Sequence, residues 1–199
     1  MFITFEGPEG CGKSTQIQFA EKWLKKREQR VVSLREPGGT QTAEAIRKVL
    51  LDHEEPLSSE VETLLFFAAR RDLVEKKILP ALKSGKIVLC DRFQDSTWVY
   101  QTCAGNFPKP LFAKAGAVAA AGLVPNLTFV FDVPVHIGLR RAGKKDRMER
   151  KSVQFHEKVR RGYLELARRE KKRCVLIPSV DGIEQVRREV EKVLERVFK

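Results

Sequence analysis

Gly7-Pro8-Glu9-Gly10-Cys11-Gly12-Lys13-Ser14 follows the apolar run Phe2-Ile3-Thr4-Phe5 and leads into the amphipathic segment from Gln16 to Arg27. A turn of the form G-x-x-x-x-G-K-S between a strand and a helix is built to cradle phosphates. Its glycines let backbone N–H groups turn inward, its lysine reaches the β and γ phosphates, and its serine hydroxyl meets Mg²⁺. The start of the following helix adds the positive end of a dipole. The stretch therefore predicts that Gly7, Pro8, Glu9, Gly10, Cys11, Gly12, Lys13, Ser14 and Thr15 hold a nucleoside triphosphate, ATP above all, with Lys13 acting on the transferred charge and Ser14 on the metal.

The 199 residues, 42% of them hydrophobic, suit one domain spanning 1–199. No stretch resembles a secretory leader or reaches membrane-span length, which predicts a cytoplasmic protein with no membrane partner. Cys11, Cys90, Cys103 and Cys174 form no C-x-x-C pair and are expected as reduced thiols, not as a zinc site or disulfide framework. A net charge of +12 raises the possibility of nucleic-acid binding. Against it, the basic residues are dispersed in mixed-sign runs such as Arg187-Arg188-Glu189-Val190-Glu191-Lys192, without interleaved aromatics. A cleft for two anionic nucleotides needs positive charge as well. No nucleic-acid partner is expected.

Short apolar runs alternate with helical segments, the signature of a parallel sheet covered on both faces. The strands are expected at Phe2 to Glu6, Val31 to Arg35, Ile87 to Cys90, Leu127 to Asp132 and Arg173 to Ile177. A last helix, Ile183 to Phe198, carries an apolar stripe of Ile183, Val186, Val190, Val193, Leu194 and Val197, with Asp181 and Glu184 as its capping box. Ser59 and Glu62 are expected to cap another helix in the same way. The basic stretch from Arg140 to Lys151 interrupts the pattern and suggests a lid.

Ligands gather at the carboxyl ends of such strands, and two further segments end strands there. Arg35-Glu36-Pro37-Gly38-Gly39-Thr40 is a tight loop, either an ordinary turn or one that offers Arg35 to a phosphate. Cys90-Asp91-Arg92-Phe93 brings a carboxylate toward a metal held by Ser14 and adds a guanidinium, unless the two form a structural ion pair. The Asp-Glu strand end of motor ATPases and the Asn-Lys-x-Asp base reader of GTPases are both missing, so a kinase acting on an acceptor phosphate fits better. In the helix near Ser59, the spacing of Phe67 and Arg71 puts an aromatic plate beside a donor, with small Ala68 leaving room. The pair suits a nucleobase or, as commonly for helical aromatics, the core. Ser96, Thr97, Tyr100 and Gln101 could complete that pocket. Ser179-Val180-Asp181-Gly182 suits either an adenine neighbour or a plain helix cap.

Along its whole length the chain resembles thymidylate kinases, which transfer the γ-phosphoryl group of ATP to thymidine monophosphate (dTMP). The resemblance rests on Phe5-Glu6-Gly7-Pro8-Glu9-Gly10 with its phosphate loop, Arg35 to Thr40, Leu65-Phe66-Phe67-Ala68-Ala69-Arg70-Arg71, Asp91-Arg92-Phe93 with Ser96 and Tyr100-Gln101, Pro125-Asn126-Leu127-Thr128, and Asp146-Arg147-Met148-Glu149. It implies an α/β phosphate-loop NTPase fold, a five-stranded parallel sheet with helices on both faces and a short lid, and commonly a homodimer. It also implies that Phe67 stacks on thymine and Arg71 bonds its O4, that Arg92, helped by Arg35, holds the acceptor phosphate beside Pro37, and that Glu9 approaches the sugar 3′-hydroxyl. Thr97 would meet the ring edge, and Tyr100 would test for a missing 2′-hydroxyl.

Some thymidylate kinases carry a catalytic arginine in the phosphate loop, which has none here, and the resemblance to the others implies catalytic arginines in the lid, among Arg141, Arg147 and Arg150; Asp91 is expected to organise the metal. The acceptor is already an ionised phosphate monoester, so in-line transfer requires no general base. The alternatives are a kinase for another nucleoside monophosphate or for a deoxynucleoside and, further off, a nucleic-acid-binding ATPase.

Overall fold

The computed structural model describes residues 1–52, 55, 57–142, 147–148 and 150–198. Five parallel strands, β1 (Phe2–Glu6), β2 (Val31–Arg35), β3 (Ile87–Asp91), β4 (Leu127–Asp132) and β5 (Cys174–Pro178), form one sheet in the order β2-β3-β1-β4-β5. Parallel neighbours need crossover connections, and the helices between the strands supply them on both faces of the sheet. The central strand β1 is buried at every position, as expected of a strand covered on both sides. Ile3 and Phe5 pack with Leu89, Phe129 and Phe131 against helices α1 (Lys13–Lys25) and α9 (Ile183–Val197). Phe2 points the other way and packs with Val88, Cys90 and Phe93 beneath residues that follow α3 (Ser59–Leu73). The same period-2 alternation turns Val130 and Cys174 toward α8 (Val153–Arg169).

The expected strands hold to within one residue at their ends: β3 continues to Asp91, and β5 runs from Cys174 to Pro178, with the Arg173 carbonyl still accepting from Thr128 N–H at 2.7 Å and its side chain forked onto Asp95 at 2.6 and 2.9 Å. Two capping expectations are corrected. Ser58, not Ser59, caps α3 by accepting from Val61 N–H, and Glu62 is turned inward instead of closing a box. Gly182 takes the cap position of α9 without a side-chain bond, so Asp181 and Glu184 form none. Ile183 and Val197, at the two ends of the α9 stripe, stay exposed, while Val186, Val190, Val193 and Leu194 are buried. Residues 143–146 and 149, which include Asp146 and Glu149 of the expected lid, lie outside the described residues.

The register sets Phe5 of β1 opposite Asp91 of β3 and Phe129 of β4, so β1 and β3 end within one residue of each other while β4 runs on to Asp132. The loop leaving β1 then runs against the backbone of α7 (Val135–Ala142). A Cβ at Gly10 would lie 1.9 Å from Gly138 O, and one at Gly138 would lie 2.4 Å from Glu9 O. Backbone meets backbone here, with no flexible side chain to yield. Replacing Gly138 with Ala should therefore cost about 2 kcal/mol or more, as overpacking does, lower the melting temperature by roughly 4–8 °C, and weaken triphosphate binding. A melt unchanged from the parent protein would show that the contact relaxes.

Candidate active site

Gly10 and Gly12 adopt φ of 66° and 85°, the left-handed region open to glycine, and curl the loop back over the start of α1. Gly12 caps α1 without a side chain, and the first turn holds no acidic residue, so its N–H groups are left for an anion. Lys13 Nζ donates to the carbonyls of Gly7 and Pro8 at 3.2 and 3.1 Å and to Cys11 Sγ at 3.4 Å. Ser179 Oγ, beyond β5, donates to Cys11 O at 2.7 Å and pins the loop from the opposite side. Ser14 Oγ lies 3.2 Å from Asp91 Oδ2. A hydroxyl beside a carboxylate is the hard oxygen pair that Mg²⁺ takes when phosphates complete its shell. The described residues include no cluster of three or more His, Cys, Asp or Glu suited to hold a metal unaided.

Arg92 follows β3 with φ 69°, uncommon for a residue with a side chain. This turn lays its guanidinium under the phosphate loop. There it donates to Gly7 O (3.0 Å), Ser96 Oγ (3.1 Å), Tyr163 Oη (3.1 Å) and Glu9 Oε1 (2.9 Å). Tyr100 Oη donates to the same Glu9 oxygen at 2.7 Å. Burial by itself would raise the Glu9 carboxyl, but Arg92, Lys13 and the Tyr100 hydroxyl outweigh it and bring the group down to about 2.

A cavity of about 830 Å³ runs from the loop in two directions. One arm is lined by Arg35, Pro37, Phe66, Arg70, Ser96, Thr97, Tyr100 and Gln101, the other by Arg141, Ser179, Asp181, Gly182 and Ile183. The expected Phe67 and Arg71 do not reach it. Phe67 is buried against Phe107 and Phe112, ring centroids 6.3 and 5.4 Å away. Arg71 is exposed and donates to Glu75 and to Val118 O, and Ala68 is exposed as well. Their neighbours Phe66 and Arg70, at the same four-residue spacing, face the cavity instead. In Phe66-Phe67-Ala68-Ala69-Arg70-Arg71 both registers have identical spacing, and only the rotation of α3 decides between them. Arg70 can be buried because Glu36 accepts from its Nε and Nη2 at 2.9 and 2.6 Å, while Thr97 Oγ1 accepts at 2.9 Å. Its Nη1 has no partner.

Other expected residues divide likewise. Glu9, Gly10, Cys11, Gly12, Lys13, Ser14, Thr15, Asp91 and Arg92 line the cavity, whereas Gly7 and Pro8 serve it through their carbonyls. Arg35 lines it while paired with Glu44 at 3.2 Å. Of the three lid arginines, only Arg141 is on the wall, donating to Ser179 O and Val180 O at 2.8 and 3.0 Å. Arg147 turns instead to Leu50 O and Glu62, and Arg150 is exposed. Sequence reasoning missed Glu6, Glu36, Arg47 and Tyr163. Glu6 directly precedes the phosphate loop, and a carboxylate ending an otherwise apolar central strand was the available signal.

Glu6 is fully buried and accepts from Phe93 N–H at 2.7 Å, from Ser96 Oγ and from Tyr163 Oη. Burial, reinforced by Asp95, pushes its carboxyl up to about 8 against Ser96, Arg92 and the Phe93 N–H. A carboxyl raised on folding binds its proton more tightly in the native chain, so its contribution is complete below the unfolded value and is lost as pH rises through the folded one. Glu9, being lowered, acts oppositely and matters only in acid. The melting temperature should thus fall between pH 5 and pH 8 more steeply in the parent protein than in Glu6→Gln, and parallel profiles would refute the assignment.

Residues 5–190 match the family model described as thymidylate kinase. The chain is 42% identical over 197 residues to the thymidylate kinase of Thermoanaerobacter sp. strain X514, covering 98% of this chain and 97% of that protein. It is 46% identical over 197 residues to that of Caulobacter vibrioides, covering 97% and 95%. The crystal structure of thymidylate kinase from Ehrlichia chaffeensis superposes with a TM-score of 0.82 at 35% identity, covering 98% of each chain. The fold and its all-parallel sheet agree with these matches, and the α/β phosphate-loop NTPase chain described above belongs to the thymidylate kinase family.

Proposed function

We propose that this chain transfers the γ-phosphoryl group of ATP to dTMP, releasing ADP and the nucleoside diphosphate, with residues 1–199 acting as one kinase unit. The observation that carries this reading is the cavity itself: one arm ends in a half-buried aromatic, Phe66, beside an unpaired guanidinium nitrogen of Arg70, and Arg92 stands where the two arms meet at the loop. The roles that the resemblance attached to Phe67 and Arg71 pass to Phe66, which stacks on the thymine ring, and Arg70, which donates to its exocyclic oxygen. Ser96, Thr97, Tyr100 and Gln101 form the rest of that arm.

Arg92, with Arg35 at the mouth, holds the acceptor phosphate in line with the triphosphate. The backbone N–H groups of the loop and Lys13 hold the β and γ phosphates. Ser14 and Asp91 hold Mg²⁺, which supplies charge neutralisation across the transferring group. Arg141 is the lid arginine best placed to add positive charge on the donor side, next to Ser179 and Asp181. Glu9, kept ionised by Arg92, accepts from the acceptor sugar. An ionised phosphate oxygen is the nucleophile, so no residue need take a proton from it.

A homodimer is part of the proposal. Val61 and Leu64 on α3 and Leu111 and Val118 on α6 (Lys109–Ala119) are exposed on adjoining helix faces, which the Arg71 bond to Val118 O ties together. Leu64→Glu should convert a dimer into a monomer in sedimentation velocity; an unchanged sedimentation coefficient would move the interface elsewhere. A cytoplasmic setting fits the buried, unpaired thiols of Cys11, Cys90 and Cys174, and no described helix is long and apolar enough to cross a membrane. Lysines such as Lys25 and Lys192 pair on helix surfaces with Glu21 and Glu189, a mixed-sign surface pattern that supports the expectation of no nucleic-acid partner.

Steady-state ADP release, measured with ATP, Mg²⁺ and each nucleoside monophosphate in turn, tests the function. Thymidine monophosphate should be the preferred acceptor, and Arg92→Ala should raise its KM and lower kcat by about a hundredfold or more together, with ATP binding nearly unchanged. Preference for a purine acceptor, or a fully active Arg92→Ala variant, would overturn the reading.

A further inference from the structure

Glu62 is a buried carboxylate that the phosphoryl-transfer scheme leaves unused. Both of its oxygens are occupied, and by residues from opposite sides. Oε1 accepts from Gln101 Nε2 at 2.9 Å, and Oε2 accepts from the Arg147 guanidinium at 2.5 Å. Arg147 also donates through Nε to Leu50 O at 2.8 Å, so it braces the end of α2 (Gln41–Asp52) against α3. Gln101 is 3% exposed and lines the acceptor arm of the cavity.

An ionised carboxylate only accepts hydrogen bonds, so it dictates which end of a neighbouring amide faces it. With the Gln101 NH₂ group bound to Glu62, the amide oxygen is the end left for the cavity. The reversed amide would set oxygen against oxygen at a buried site, at the cost of an unpaired polar group. We propose that Glu62 is a positioning residue that fixes Gln101 as an acceptor toward the ligand base, and that Arg147 works by holding Glu62, which ties the segment after α7 to base selection.

Resting on the acceptor reading above, this gives the pocket a defined polarity: an acceptor from Gln101 alongside the donor of Arg70 Nη1. A pyrimidine with a ring N–H next to a carbonyl matches that pair. Cytosine, with a bare ring nitrogen next to an amino group, meets acceptor with neither donor in place and donor with donor. Arg147 thereby leaves the set of charge-neutralising arginines and joins the acceptor side.

The test compares the parent protein with Glu62→Gln, Glu62→Asp and Arg147→Met in kcat and KM, using dTMP and deoxycytidine monophosphate as acceptors, with a thermal melt of each. In Glu62→Gln the new amide can donate to the Gln101 oxygen and let it turn. The KM for dTMP should rise roughly tenfold or more, and the kcat/KM preference for it over the cytidine nucleotide should fall by a similar factor. Glu62→Asp keeps the charge but withdraws the carboxylate by one methylene, and should raise the KM for dTMP in the same sense. Arg147→Met should raise that KM more than it lowers kcat. A folded Glu62 variant with unchanged acceptor preference overturns the inference, as does an Arg147→Met loss confined to kcat, which would return Arg147 to the transferring phosphoryl group. Equal losses for both acceptors accompanied by a lower melt would mark a merely structural role and overturn it too. If the parent protein does not prefer dTMP, the acceptor reading falls first and takes this inference with it.

Discussion

One guanidinium, that of Arg92, lies at the point where the phosphate loop, the end of β3 and the start of α5 (Gln94–Thr97) converge. It satisfies a loop carbonyl, a serine, a tyrosine and a carboxylate at once. Removing water from so many charges would be unfavourable if any lacked a partner. Here Glu9 offsets the burial of Arg92, and Arg92 in turn keeps Glu9 ionised. The left-handed backbone of Arg92 is tolerated because these contacts overdetermine it. The parallel register of β1 and β3 is what brings the partners within reach, since the two strands end within one residue of each other.

The fold was legible because each buried strand is a short apolar run and the phosphate loop marks the end of the first. Periodicity, turn chemistry and the loop motif agree at that point, and such agreement across levels makes a sequence readable. Element ends were less so. Ser59 is the cap expected from the sequence, yet α3 begins at Ser59 itself and Ser58 caps it. The rotation of α3 decides between Phe66 with Arg70 and Phe67 with Arg71. Burying Arg70 needs Glu36, 34 residues earlier, and no local pattern encodes a pair at that separation. The phosphate-loop residues, by contrast, are contiguous, and their spacing alone carries the chemistry.

Arginine placement divides the chain's positive charge by task. Arg70, almost wholly buried, is held by a carboxylate and a hydroxyl and leaves its Nη1 without a partner. Arg173 and Arg160 fork onto Asp95 and Asp132 and stiffen the ends of β4 and β5. Arg141 alone among the expected lid arginines looks onto the donor arm. A count of basic residues says nothing of this division, because the partner, not the charge, assigns the task.

Lys13 is already spoken for by the carbonyls of Gly7 and Pro8. A phosphate arriving at the loop does not capture an idle cation; it competes with two peptide oxygens for an ammonium that can satisfy either set. Affinity for a triphosphate then reflects the difference between the two sets, and a weaker, singly charged anion gains little from the exchange. The two carbonyls are the reference that any anion reaching Lys13 has to better.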